Sequence, residues 1–210
     1  NACSNGSSEL MSNLSSSLIG ILYNLQLMRL VGEAGVAAYS VMMYVDFAFA
    51  AVFLGFTMGV GPVIGFHFGA DNRAELKSLL RKCLTVVVLC SASMVVLSEA
   101  LARPLALAFV GYSPALMDLT VHGFRIFALS YLFVGFGIFG SGLFTSLCSG
   151  PVSALISFLR TFLFRGGMVL LLPLLLDLDG IWLAVVAADG LGAAVALFLT
   201  WNYRKRYHYW

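Results

Sequence analysis

Charge is what this sequence has least of. Only 10% of its 210 residues are Asp, Glu, Lys or Arg, against 60% hydrophobic, and the mean hydropathy is +0.95. A soluble domain carries about 25% charged residues, so water is excluded as the solvent for most of this surface. The formal excess of +2 comes with no basic patch interleaved with aromatics, which excludes nucleic acid as a partner. Histidine is scarce as well: His67, His122 and His208 stand apart, with no HExxH and no paired acidic motif. No glycine-rich loop ends in Lys-Ser or Lys-Thr, so nucleotide hydrolysis is not encoded and the chain does not read as an enzyme. Cys3, Cys83, Cys90 and Cys148 form no CxxC pair. Within apolar runs they read as small hydrophobes, and no cofactor is expected. The chain begins at Asn1 without a basic n-region and h-region, so an excerpt from a longer protein, or one trimmed upstream, is expected.

Long apolar runs are what is present. A hydrocarbon core of about 30 Å needs about 20 residues of apolar helix. Six segments qualify, at 10–31, 34–66, 83–102, 126–148, 151–176 and 180–203. They do not alternate as the strands of a barrel would. The class is therefore an all-α, polytopic membrane protein with six transmembrane helices in a single domain. The stretch 103–118, with two prolines and too short to span, reads as an interfacial turn of helix. Pro104, Pro114 and Pro151 are expected at helix boundaries.

Six spans put the 67–82 loop and the C-terminus on one side. That side holds Arg73, Lys77, Arg81, Lys82, Arg204, Lys205 and Arg206, and the other Arg29, Arg103 and Arg125. Cations collect on the cytoplasmic side, so both ends of this segment are expected there, in a plasma or inner membrane. Residues 70–82 read as a basic amphipathic helix lying at that interface, against membrane lipids.

The polar residues inside the spans are the candidates for function. On a helical wheel Glu9, Asn13, Ser16, Ser17, Gly20 and Asn24 fall within one arc of about 100°. Lipid cannot satisfy such a stripe. It forms either interhelical hydrogen bonds or the wall of a hydrated cavity. Thr57, Gly61, Gly65 and Gly69 recur at i+4 around Pro62, which suits either a tight helix crossing or a hinge at Gly61, Pro62 and Gly65. Span four, with Gly135, Gly137, Gly140 and Gly142, poses the same alternatives.

Ionisable groups at membrane depth are functional candidates by default. Asp46 is close to mid-depth with no basic neighbour in sequence, which suits ion or proton coupling. Asp189 either pairs with Arg160 or Arg165 to fix packing or serves function. Arg160, nearer the cytoplasmic end, can snorkel, and Glu99 is interfacial.

Four runs carry a family resemblance: "NGSSELMSNLSSSLIGILYN" at 5–24, "GPVIGFHFGA" at 61–70 ahead of a basic helix, "SALISFLRTFLF" at 153–164 and "PLLLDLDGIWLAVVAADGLG" at 173–192. Their order and spacing resemble the multidrug and toxic compound extrusion (MATE) family across nearly the whole chain. The resemblance implies one lobe, the second, of a twelve-helix transporter whose two six-helix lobes enclose a central cavity. It implies export of small organic cations or drugs in exchange for sodium or protons. The first lobe would be supplied by the same full-length chain or by a second copy. Glu9 is the acid on the helix where some members carry a coupling carboxylate. Arg160 matches an arginine common in this part of the family, and Asp177 stands where glycine is expected. Alternatives are a lipid-linked saccharide exporter of the same superfamily and a non-transporting, truncated membrane module.

Overall fold

The computed structural model describes residues 2–207, and within them the side chains of all but 2–13 and Lys205. The described residues are helical with short breaks and contain no strand. Helix α1 (Ala2–Leu30) runs into α2 (Glu33–Gly69) through Gly32, whose φ of 78° needs the freedom of glycine. Buried Ser15, Ile19, Tyr23 and Leu27 form the i+4 face by which α1 packs, chiefly on α6 (Gly150–Phe158). Tyr23 also stacks on Tyr39 of α2, with ring centroids 5.2 Å apart.

Helix α3 (Arg73–Val110) is longer than the sequence suggested, and two expectations are corrected by it. The basic segment is not a separate interfacial helix. Asn72 caps α3 by accepting from the Glu75 N–H at 3.3 Å, and the helix then runs unbroken through the basic residues. The reason is a single buried stripe, Leu76, Leu80, Cys83, Val87, Ser91, Met94, Ser98, Ala102, Ala106 and Val110. The stripe continues past residue 102, so 103–110 also belongs to α3. Pro104 lies inside the helix on its exposed side rather than at a boundary. At 1.5 Å per residue α3 is about 57 Å long, so its basic first turns extend beyond the hydrocarbon.

The fourth expected span is a bent pair. Helix α4 (Pro114–Ala128) and α5 (Tyr131–Ser146) meet at an angle of 48° around Leu129 and Ser130. Pro114 and Pro151 sit at the first turns of α4 and α6, where a missing N–H costs nothing. After α6 the chain widens into a π-helical stretch (Leu159–Phe164), then continues as α7 (Arg165–Leu171) and α8 (Pro173–Tyr207). Helix α8 is kinked at Asp177, whose φ of 48° and ψ of −125° belong to glycine's territory. That is the physical sense of the glycine expected there.

By length and composition α2, α3, the α6–α7 unit and α8 can each cross a membrane, and the α4–α5 pair makes a fifth span. The more polar α1 is not among them. Helix α5 is the centre of the lobe, packed against α2, α3, α6 and α8. Its glycines allow this: a Cβ on Gly135 would meet Phe53, on Gly137 Arg160, on Gly140 Ala196 and on Gly142 Thr57. Span four's glycines are thus close crossings. On α2, by contrast, Gly55, Gly59 and Gly69 face open space.

Candidate functional site

Two polar features lie within the apolar bundle. The first is a buried cluster near mid-depth, where α1, α2, α5, α7 and α8 converge. Arg165 of α7 reaches Asp189 of α8 through two hydrogen bonds, Nη2 to Oδ2 at 2.8 Å and Nε to Oδ1 at 3.4 Å. The Asp189 side chain is fully buried and that of Arg165 is 20% exposed. Of the two arginines offered by the sequence, Arg165 is therefore the partner of Asp189. Asp46 of α2 is buried in the same field, interacting electrostatically with Arg165, Asp189 and Arg160. It makes no hydrogen bond or ion pair with a described residue. Its lack of basic neighbours was a property of the sequence only; the fold surrounds it with them. Tyr23, Tyr39 and Tyr131 feel the same charges. The Tyr23 and Tyr131 hydroxyls are buried without a described partner.

The second feature is a cavity of about 480 Å³ toward the end that carries the basic turns of α3. Helices α2 and α6 make almost no contact with one another, and α5 forms the floor between them. Gly61, Pro62 and Gly65 line one wall, Ser141, Gly142, Thr145 and Ser146 the floor, and Ser157 and Arg160 the other wall. Helix α2 is continuous through Pro62, which has no N–H to return to the Met58 carbonyl on the same wall. A Cβ on Gly61 would lie 3.1 Å from Ser146 Oγ, and one on Gly65 3.4 Å from the Ser146 carbonyl oxygen. These two glycines therefore let α2 approach the end of α5.

Hydroxyls knit the floor to the α6 wall. Ser141 Oγ is 2.9 Å from both Ser153 Oγ and Ser157 Oγ, and Thr145 Oγ1 is 2.7 Å from Ser153 Oγ. The π-helical stretch carries Arg160 to the cavity. Such widened turns recur at functional sites. The arginine stem does not snorkel toward water; it passes between Gly137 and Gly192.

The polar stripe of α1 faces out of the lobe as far as it is described. Ser16, Ser17 and Asn24 are exposed, and the Asn24 side-chain amide donates to the Gly20 carbonyl of its own helix at 2.9 Å. Gly20 and Asn24 line a second cavity, of about 590 Å³, with Tyr39, Ser40, Met43 and Tyr44. The side chains of Glu9 and Asn13 lie outside the described residues. At the opposite end of the lobe Glu99 is 3.6 Å from Arg125, and His122 Nε2 is 2.8 Å from Asp179 Oδ1, tying α4 to α3 and α8.

The hydroxyl network escaped sequence reading. Its signal was there as Ser141 with Thr145 and Ser153 with Ser157, polar pairs at i+4 in otherwise apolar helices. The unpartnered tyrosines carried no signal, because tyrosine is common in membrane proteins at the interfaces and a sequence does not give a ring's depth.

Residues 10–170 match the MatE family model. No curated protein sequence matches the chain. Among solved structures, a MATE in complex with MaL6 superposes with a TM-score of 0.88 at 19% identity, covering 97% of this chain and 46% of that one. The Vibrio cholerae MATE transporter VcmN in its bent form gives 0.88, 19%, 97% and 46%. A MOP superfamily transporter from Pyrococcus furiosus, for which reverse polarity of the binding pocket suggests a different function, gives 0.83, 21%, 93% and 44%. This chain therefore spans a little under half the length of the structures it matches, and at such identities the likeness establishes the fold.

Proposed function

The chain belongs to the MatE family, and on that premise we propose that it forms one lobe of a secondary transporter exporting organic cations or drugs against sodium or protons. It is a multi-pass membrane protein of transporter type. In this reading the complementary lobe comes from the same full-length chain or from a second copy, α1 crosses the membrane as a sixth span, and both ends of the described segment face the cytoplasm.

One observation carries the coupling step. Two carboxylates lie buried at depth, and only one of them is committed: Asp189 is held by Arg165, whereas Asp46 has no direct partner among the described residues. A carboxylate without a fixed counter-ion in a low-dielectric interior is suited to bind and release a proton or sodium ion. Its neighbour Arg165 gives that exchange an electrostatic consequence, since loading Asp46 changes the net charge of the cluster by one.

The test is efflux of ethidium from proteoliposomes holding the full-length protein, driven in turn by a sodium and a proton gradient. Asp46→Asn is expected to abolish gradient-driven efflux while the protein still folds and inserts. Efflux in Asp46→Asn with wild-type gradient dependence would remove Asp46 from the coupling step.

A further inference from the structure

The cavity beside Arg160 is chemically one-sided. Its described lining sets a guanidinium beside the hydroxyls of Thr57, Ser141, Thr145, Ser146 and Ser157, and none of those lining residues is acidic. The Nε of Arg160 is buried and has no hydrogen-bond partner among the described residues, and neither has the buried Oγ1 of Thr57. Buried polar groups are normally paired, and a buried cation above all.

The packing around the arginine indicates a built site. A Cβ on Gly137 would lie 2.5 Å from Arg160 Cδ, and one on Gly192 2.7 Å from Arg160 Cγ. Two separate helices thus lack a side chain at the place where the stem passes between them. Of the two acids in its electrostatic field, Asp189 is engaged by Arg165, and Asp46 makes no hydrogen bond or ion pair with Arg160.

From this arrangement we infer that the cavity binds the carboxylate of an organic acid or zwitterion, held by the Arg160 guanidinium and the adjoining hydroxyls. One guanidinium matches one carboxylate in charge and in two-pronged geometry. A doubly charged phosphate would leave buried charge uncompensated. Small-molecule pockets run from about 300 to 1,000 Å³, so about 480 Å³ leaves room for an organic body against Leu54, Met58, Pro62 and Ile138. The inference depends on the transporter reading only in making the bound acid a cargo; the binding stands without it.

The experiment is calorimetric titration of the purified full-length protein, in nanodiscs of neutral lipid, with benzoate, benzamide and benzylamine. Benzoate is expected to bind saturably, and its neutral and cationic analogues at least about tenfold more weakly, as for loss of a charged hydrogen bond. Arg160→Gln should weaken benzoate by a similar factor, Arg160→Lys by less, and Thr57→Val by a few-fold, about 3. Should Arg160→Gln fail to fold, the lysine and valine variants carry the same comparison. Equal binding of benzoate and benzamide, or a benzoate affinity indifferent to the folded variants, overturns the inference. So does displacement of benzoate by phosphatidylglycerol in the discs, with Arg160-dependent retention of that lipid, because the occupant would then be a headgroup. Wild-type ethidium efflux in the same preparation separates the two readings. Absent efflux with benzoate binding intact removes the antiporter and leaves this site, and the converse removes only the site.

Discussion

Arg160 and Arg165 lie five residues apart on one interrupted helix, and the bundle treats them oppositely. Arg165 is bolted to a fully buried carboxylate at 2.8 Å. Arg160, threaded between two glycines, ends at a cavity with its Nε unpartnered among the described residues. The first arrangement is what packing needs: in a low-dielectric interior, two opposite charges satisfy each other and fix α7 against α8. The second makes no ion pair or hydrogen bond among the described residues. A group kept at a stability cost is characteristic of function.

That contrast can be broken experimentally, and the largest effect should come from the bolted arginine. Asp189→Asn leaves the Arg165 charge buried and unpaired, which is expected to cost about 3–5 kcal/mol, read as a lowered midpoint of thermal unfolding by tryptophan fluorescence in detergent. Arg160→Met should act in the opposite sense. Replacing a partly buried cation that has no ion pair among the described residues by an apolar side chain of similar length is expected to leave stability unchanged or raise it by up to about 1 kcal/mol. If Arg160→Met destabilised the lobe as much as Asp189→Asn, the two arginines would be alike and the contrast would fail. The smallest effect is a control on burial. His122 and Asp179 are as close as Arg165 and Asp189, at 2.8 Å, but their side chains are 58% and 53% exposed. Asp179→Asn is therefore expected to cost under about 1 kcal/mol and to do so less at high salt.

The apolar runs made the helical, membrane-spanning class legible, and charges inside those runs singled out Asp46 and Asp189, which the bundle buries, whereas Arg160, read as free to snorkel, lines a cavity instead. What stayed hidden has physical causes. The extent of α3 was misread because composition changes abruptly at Lys82 and Cys83, whereas the buried stripe runs through that boundary from Leu76 to Val87. Burial periodicity, not composition, determines where a helix continues. The choice between Arg160 and Arg165 for Asp189 could not be made from spacing, because it depends on how far the π-helical stretch turns the chain before α8 arrives. Asp177 was taken as a glycine position on resemblance alone, and only its backbone angles give that a reason. The stripe of α1 was read as polar on one face, and Ser16, Ser17 and Asn24 do share exposure. Where its hydrogen bonding is described, at Asn24, the bond returns to its own helix.

The π-helical stretch also sets a rule for length variation in this chain. A widened turn holds one residue more than an α-helix over the same rise, so deleting one residue between 159 and 164 would restore regular geometry. The helix beyond the widened turn would then keep its place, whereas the same deletion in a regular helix rotates everything beyond it by about 100° and shifts it by about 1.5 Å. Arg165 would stay on Asp189 after such a deletion, and the change would fall within the widened turn, where Arg160 would lose the geometry that carries its stem between Gly137 and Gly192. A reading-frame-preserving codon loss in this segment would therefore cost the chain the cavity arginine while sparing the ion pair.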